Sequence, residues 1–168
     1  AGITLVGVSK RQPLSRVREG LDAGLTDFGE NFVQEGVAKI QALGSQNARW
    51  HFIGHIQSRK AARAAGNFSL LHGVDSLKLA VKLSQQSVAA QANQPILLEV
   101  NITGEQQKHG LVPDALVDTA GQVQQLPGLR LDGLMCMARL VGGSEAARED
   151  FAALRQLRDR LRDVCPES

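Results

Sequence analysis

Apolar residues in this chain fall into short β-branched runs separated by stretches with a three- to four-residue period, and the two patterns alternate to the end. The first run, Ile3-Thr4-Leu5-Val6-Gly7-Val8-Ser9-Lys10, is too short for an independent helix and stops at Arg11-Gln12-Pro13, which predicts a buried strand. Behind Pro13, residues Val17, Leu21 and Leu25 recur at helical spacing, with Gly24 closing the stripe. The pattern then predicts a strand over 27–31, a helix over 32–43, a strand over 49–54 and an alanine-rich helix reaching residue 65 with Ser58 as its cap. A fourth strand over 69–74 leads to a helix capped by Asp75 or Ser76 that carries Leu79, Val81, Leu83 and Val88. Pro95 opens a fifth strand over 96–102. A polar loop over 103–110 and a helix over 113–126 follow, then a sixth strand over 129–138. Ser144 is expected to cap a long amphipathic helix with an apolar line through Phe151, Leu154, Leu157, Leu161 and Val164.

Six strand-helix units in succession imply parallel strands joined by right-handed helical crossovers. An open doubly wound sheet and a (β/α) barrel both satisfy this pattern, the barrel needing about eight units. No G-x-G-x-x-G follows the first strand and no G-x-x-x-x-G-K-[ST] occurs anywhere, so a nucleotide site loses ground.

The candidate chemistry starts at Lys10. Alternation places it on one face with Thr4, Val6 and Val8, where an amine beside apolar surroundings is pushed toward its neutral, nucleophilic form; the alternative is a lysine that snorkels into solvent. Asn31 reads as an N-cap, and also as a strand-end amide level with Lys10 that could bond a ligand. His51, alone in an apolar strand, fits a satisfied core or rim histidine better than a base. Glu99 and Asn101 share one face of the fifth strand, which suggests a lined cavity or a sheet edge. Met135 and Met137 fit core filling, and Arg59, Lys60 and Arg63 fit a solvated basic helix face.

Composition narrows the classes. With 168 residues, 43% hydrophobic and 21% charged, the chain has the size and make-up of one globular domain. A net charge of +2 and few aromatics give poor support for a nucleic-acid surface. No apolar run approaches a membrane span and no signal peptide opens the chain, so a cytoplasmic protein is expected. Cys136 and Cys165 show neither metal-ligand spacing nor a disulfide framework and are expected as reduced thiols.

Taken together, five blocks carry more information than any one of them: Gly7-Val8-Ser9-Lys10; Gly29-Glu30-Asn31-Phe32-Val33-Gln34-Glu35; Trp50-His51-Phe52-Ile53-Gly54-His55-Ile56-Gln57-Ser58-Arg59-Lys60; Val100-Asn101-Ile102-Thr103-Gly104-Glu105 with Lys108-His109-Gly110; and Gly133-Leu134-Met135. In order and spacing they resemble the pyridoxal phosphate homeostasis protein family, also called the proline synthetase co-transcribed family, over nearly the whole chain. The resemblance implies an α/β fold, a (β/α) TIM-type barrel of the alanine racemase N-terminal kind, in a single domain over 1–168. It implies pyridoxal 5′-phosphate (PLP) bound through a Schiff base to Lys10, with Asn31 beside the cofactor and His51, Asn101 and Met135 around the ring. It also implies a monomer that acts in vitamin B6 and amino acid balance without established catalysis. Family members usually begin with a helix before the first strand and continue with two further strand-helix units, which hold the phosphate; this chain is therefore expected to be about six of eight units.

A racemase of the same fold is the alternative. Related racemases use a second base, usually a tyrosine from a separate domain, and this sequence contains no tyrosine. A cofactor-free Schiff-base aldolase and a nucleic-acid-binding module rank lower.

Overall fold

In the computed structural model, which describes residues 2–44 and 48–164, six parallel strands form one sheet in the order β1-β2-β3-β4-β5-β6. They are β1 (Gly7–Val8), β2 (Asp27–Glu30), β3 (Arg49–Phe52), β4 (Leu70–Val74), β5 (Gln94–Glu99) and β6 (Leu129–Met135). The intervening helices are α1 (Leu14–Asp22), α2 (Val33–Leu43), α3 (Ala61–Ala64), α4 (Leu77–Ala89) and α5 (Leu116–Gln124), and α6 (Gly143–Val164) follows the last strand. A doubly wound sheet reverses its strand order and takes helices on both faces. Here the order never reverses, so right-handed crossovers stack every helix on one side and the sheet curls around its other side as a barrel arc. Thr4 and Val6 beside the first strand and Asp132 in the last line one hollow of about 360 Å³ with residues of β2, β3 and β4. Among the described residues the two edge strands, β1 and β6, are not paired with each other.

The core lies between sheet and helices. Phe28, Trp50, Phe52, Leu71, Ile96 and Leu98 are buried there against Leu79, Leu83, Leu116 and Ala120. Phe28 and Trp50, cross-strand partners on β2 and β3, sit 5.5 Å apart between ring centres. Full burial of each large apolar side chain contributes about 1.5–3 kcal/mol, and these rows hold the sheet to its helices.

Ser76 caps α4 as expected, its Oγ accepting from the Leu79 N–H at 3.3 Å. Several other expectations are corrected. The first strand was expected over 3–10, yet only Gly7 and Val8 find ladder partners on β2, and Ile3 and Leu5 stand exposed. Phe32, not Asn31, is the N-cap of α2, and it makes no side-chain cap bond. Ser58 starts a 3-10 turn (Ser58–Lys60) without capping it, and the helix beyond is a single turn. α6 begins one residue before Ser144, and Phe151 on its expected apolar line is exposed although Leu157 and Leu161 are buried. The Val164 side chain and Cys165 lie outside the described residues, whereas Cys136 is a free thiol whose pKa is raised, first by burial and then by the Asp150 charge.

Candidate functional site

The site is built outward from the peptide at Lys10. The Ser9 N–H continues the ladder to the Gly29 carbonyl at 3.0 Å, and the Ser9 hydroxyl donates to Glu30 Oε1 at 2.6 Å on the helix-covered side. Strand alternation then turns Lys10 to the concave side, on the row of Val8. Its exposed side chain stands at the carboxyl end of β1. The apolar enclosure expected around this amine is missing, because Val8 beside it is itself 53% exposed.

The two peptides that flank Lys10 are held by a buried charge cluster. Lys39 on α2 is 5% exposed and donates to the Ser9 carbonyl at 2.6 Å, to Glu30 Oε1 at 2.7 Å and to Glu35 Oε1 at 2.7 Å. Glu35 in turn accepts the Arg11 backbone N–H at 2.6 Å. Burial works against the charged Lys39, but the hydrogen bonds it donates to Glu30 and Glu35 outweigh it and raise its pKa. Burial likewise disfavours the charged Glu35, and Lys39 and the Arg11 N–H overcome it, so that carboxyl is lowered. Arg11 sits in the left-handed region at φ 58°, with its guanidinium 5.5 Å from the centre of the Phe32 ring. The chain therefore turns away right after Lys10, and both sides of that turn are fastened to α2 and its N-cap.

Asn31 follows β2 and, by extension of the register that pairs Val8 with Gly29, comes level with Lys10. Freed from capping, it leaves its Oδ1 buried with no hydrogen-bond partner among the described residues. An amide oxygen in that condition is a standing cost of about 1–3 kcal/mol unless something fills the position. Gly54 lies against it: a Cβ on Gly54 would stand 2.6 Å from the Asn31 carbonyl oxygen and 2.8 Å from its Cα. A cleft of about 350 Å³ opens at this end between Asn31, Phe32 and Gln34 on one side and Gly54, His55 and Lys60 on the other.

The remaining expected residues divide. Met135 ends β6 in register with Glu99, and Asn101 follows β5, so both reach the same end of the sheet as Lys10 and Asn31. The Asn101 amide is already engaged. Its Nδ2 donates to the Glu105 carbonyl at 2.9 Å and its Oδ1 accepts the Gly104 N–H at 3.0 Å, so it folds the 101–108 loop. His51 lies one layer deeper, level with Gly29 and Val8. Its Nε2 is 2.9 Å from Asp27 Oδ1 and its Nδ1 2.9 Å from His72 Nε2. Because an ionised carboxylate only accepts, the proton of that first bond comes from His51. Burial raises Asp27, yet bonds from Arg49, His51 and Thr26 bring it down to about 2. Burial, with the neighbouring His51, lowers His72 to about 4.

Glu99 is not on a sheet edge, since β5 runs between β4 and β6. Its carboxyl is buried against Gly73, where burial and then the Asp75 charge raise its pKa while His109 acts in the opposite direction. Lys108 fastens the neighbouring loop, reaching Glu105 Oε1 at 2.6 Å and the Ala138 carbonyl at 3.3 Å. Sequence reasoning missed Glu30, Glu35 and Lys39. The available signal was a glutamate on the helix-facing side of an apolar strand followed by a Glu-Lys pair four residues apart.

With this geometry in view, the similarities to known proteins are specific. A family model described as alanine racemase, N-terminal domain, matches residues 8–167. A pyridoxal phosphate homeostasis protein of Pseudomonas aeruginosa is 43% identical over 157 residues, covering 94% of this chain and 68% of that protein. Its namesake in Escherichia coli is 41% identical over 165 residues, covering 94% of this chain and 70% of that protein. PipY of Synechococcus elongatus PCC7942, solved with PLP bound, superposes with a TM-score of 0.90 at 32% identity over 98% of this chain and 77% of PipY. An alanine racemase of Clostridium difficile 630 superposes at 0.80 with 14% identity over 99% of this chain and 44% of that enzyme, a likeness of fold alone.

Proposed function

Because this chain belongs to the pyridoxal phosphate homeostasis protein family and has the fold of the alanine racemase N-terminal domain, we propose that it binds pyridoxal 5′-phosphate and holds it covalently at Lys10. The observation that carries this reading is a pairing at one end of the sheet: an accessible amine on a clamped peptide, level with a buried amide oxygen that has no partner. When bound, the cofactor supplies an aldehyde carbon able to form a carbon-nitrogen link with a primary amine.

In this reading the chain's own residues divide the work. Lys10 Nζ provides the amine, and the Glu30–Lys39–Glu35 cluster fixes the peptide from which it projects. Asn31 turns its amide to the ligand ring. Met135 supplies an apolar wall, Asn101 shapes the loop over the mouth, and His51 supports the floor from below through Asp27 and His72. The protein acts as a cytoplasmic monomer, a carrier in vitamin B6 and amino acid balance that performs no turnover and needs neither nucleic acid nor membrane. The relatives' names, which denote homeostasis and not a reaction, support the absence of turnover. Among the described residues no helix is long and apolar enough to cross a membrane.

The test is chemical. Protein incubated with PLP should gain a visible absorption band, and borohydride treatment followed by digestion should place a pyridoxyl mass on the peptide containing Lys10. Lys10→Ala should lose both signals. Absence of the adduct at Lys10 in the parent protein would overturn the proposal. Exchange of the amino acid α-proton in deuterated water, at enzyme-like rates and dependent on Lys10, would instead establish a racemase-type enzyme.

A further inference from the structure

Three segments far apart in sequence meet at the carboxyl end of the sheet. His55 comes from the loop after β3, Asp75 from the junction between β4 and α4, and His109 from the loop after β5. The imidazoles of His55 and His109 stack with centres 3.8 Å apart and planes 12° from parallel. Both direct Nδ1 at the same oxygen, Asp75 Oδ2, at 3.1 Å from His55 and 3.7 Å from His109. One potential donor atom from each residue lies within 4.8 Å of the other two. Among the described residues Asp75 makes ion pairs only with these two rings, and no lysine or arginine neutralises it.

We propose that His55, Asp75 and His109 form a binding site for a divalent transition-metal ion of the zinc class. Two imidazole nitrogens and one carboxylate oxygen are the donors that zinc, cobalt and nickel take, whereas magnesium and calcium require oxygen-rich shells. The carboxylate is already oriented from behind. Ser76 Oγ donates to the other oxygen, Asp75 Oδ1, at 3.1 Å, while the same hydroxyl accepts from the Leu79 N–H to cap α4. That bond leaves Oδ2 toward the imidazoles, the kind of outer support that metal-ligating carboxylates use. Both rings are partly exposed, with side-chain exposures of 39% for His55 and 55% for His109, so an ion can arrive from solvent and keep an outward position for water. Because an imidazole binds a metal through the lone pair in its ring plane, loading the ion turns the two stacked rings about their side-chain torsions, a motion their exposure leaves open.

The experiment uses untagged protein treated with chelator and kept free of PLP, so its outcome is independent of Lys10. Titration with Co²⁺ should give saturable visible d–d bands at one ion per chain, and one equivalent of Zn²⁺ should abolish them. His55→Ala, His109→Ala and Asp75→Asn should each weaken binding by about tenfold or more. Glu19→Gln, at an exposed carboxylate on α1, should leave it unchanged. Because the ligating histidines are partly exposed, their variants should fold, and a far-UV spectrum and melting curve without metal will establish this. In parallel, Zn²⁺ should raise the melting temperature of the parent protein but not of His109→Ala. Absence of a saturable Co²⁺ band, or binding that survives all three ligand substitutions, overturns the site.

Discussion

The Lys39 ammonium donates to the Ser9 carbonyl at 2.6 Å, so a residue of the second helix holds the peptide that leads into Lys10. The same nitrogen carries Glu30 and Glu35, and Glu35 holds the Arg11 N–H on the far side. The Lys10 peptide is thereby positioned from behind, by charges on the helix-covered face. The arrangement confines the freedom of Lys10 to its own side-chain torsions.

Breaking this cluster at its centre should be expensive. Lys39→Met leaves Glu30, whose Oε2 is already buried without a partner, facing Glu35 with no counter-charge. The expected loss is about 3–5 kcal/mol of unfolding free energy in urea, typical for removing one member of a buried ion pair. The double variant Glu30→Gln/Lys39→Met should recover part of it. A loss under about 1 kcal/mol for the single variant would show that the cluster is not holding the turn.

Asn31 should separate stability from binding. It caps no helix, and its Oδ1 has no partner, so Asn31→Ala should change the urea midpoint little. If the amide contacts the ligand, PLP affinity should fall about tenfold, measured by absorbance titration. A stability loss as large as that for a missing N-cap, without an affinity change, would return Asn31 to a structural role.

Gly54→Ala tests the close approach of two strand ends. The new methyl group would meet Asn31 backbone atoms at 2.6 and 2.8 Å, and backbone cannot rotate aside as a side chain can. The expected destabilisation is about 1–3 kcal/mol, accompanied by weaker PLP retention because the displaced peptide is that of Asn31. Thermal melting and the absorbance titration report the two effects separately.

Acid sensitivity follows from the histidine pair. His72 titrates near 4 in the folded protein against 6.5 for a free imidazole, so between those values the unfolded chain binds a proton that the folded chain refuses. Its contribution is present in full above pH 6.5 and is lost as pH falls toward 4. For a partly exposed ring the change amounts to about 1–2 kcal/mol after solvent screening. Asp27 adds a later loss: its support is complete above about 3.8 and disappears as pH falls to about 2. Urea midpoints between pH 7 and 4 should decline in the parent protein and flatten in His72→Gln; equal slopes would reject the assignment.

The alternation of units was legible because strand and helix periods differ and each buried face repeats its own. Ser76 was legible as a cap because a serine preceded a clear helical stripe. Asn31 and Ser58 misled for the same physical reason: a residue suited to capping does not oblige the helix to begin there, and neighbouring backbone decided otherwise. Lys10 and Asn31 were read as level with each other at strand ends, whereas Asn101 and Met135 came from the family resemblance, since their strands were expected to run on to 102 and 138. His55, Asp75 and His109 could not be read together, since nothing in the sequence relates residues so far apart until strand order sets three loops side by side. The Glu30–Lys39 contact was hidden similarly, because nothing in the sequence says which helix residue packs behind Glu30.

Each strand from β2 to β6 pairs with the one made immediately before it. A chain emerging from the ribosome can therefore lay down β2 to β6 each against a template already in place. Contacts remain between neighbours in synthesis order, a topology that shortens the search for the native pairing and limits the time any strand spends without a partner.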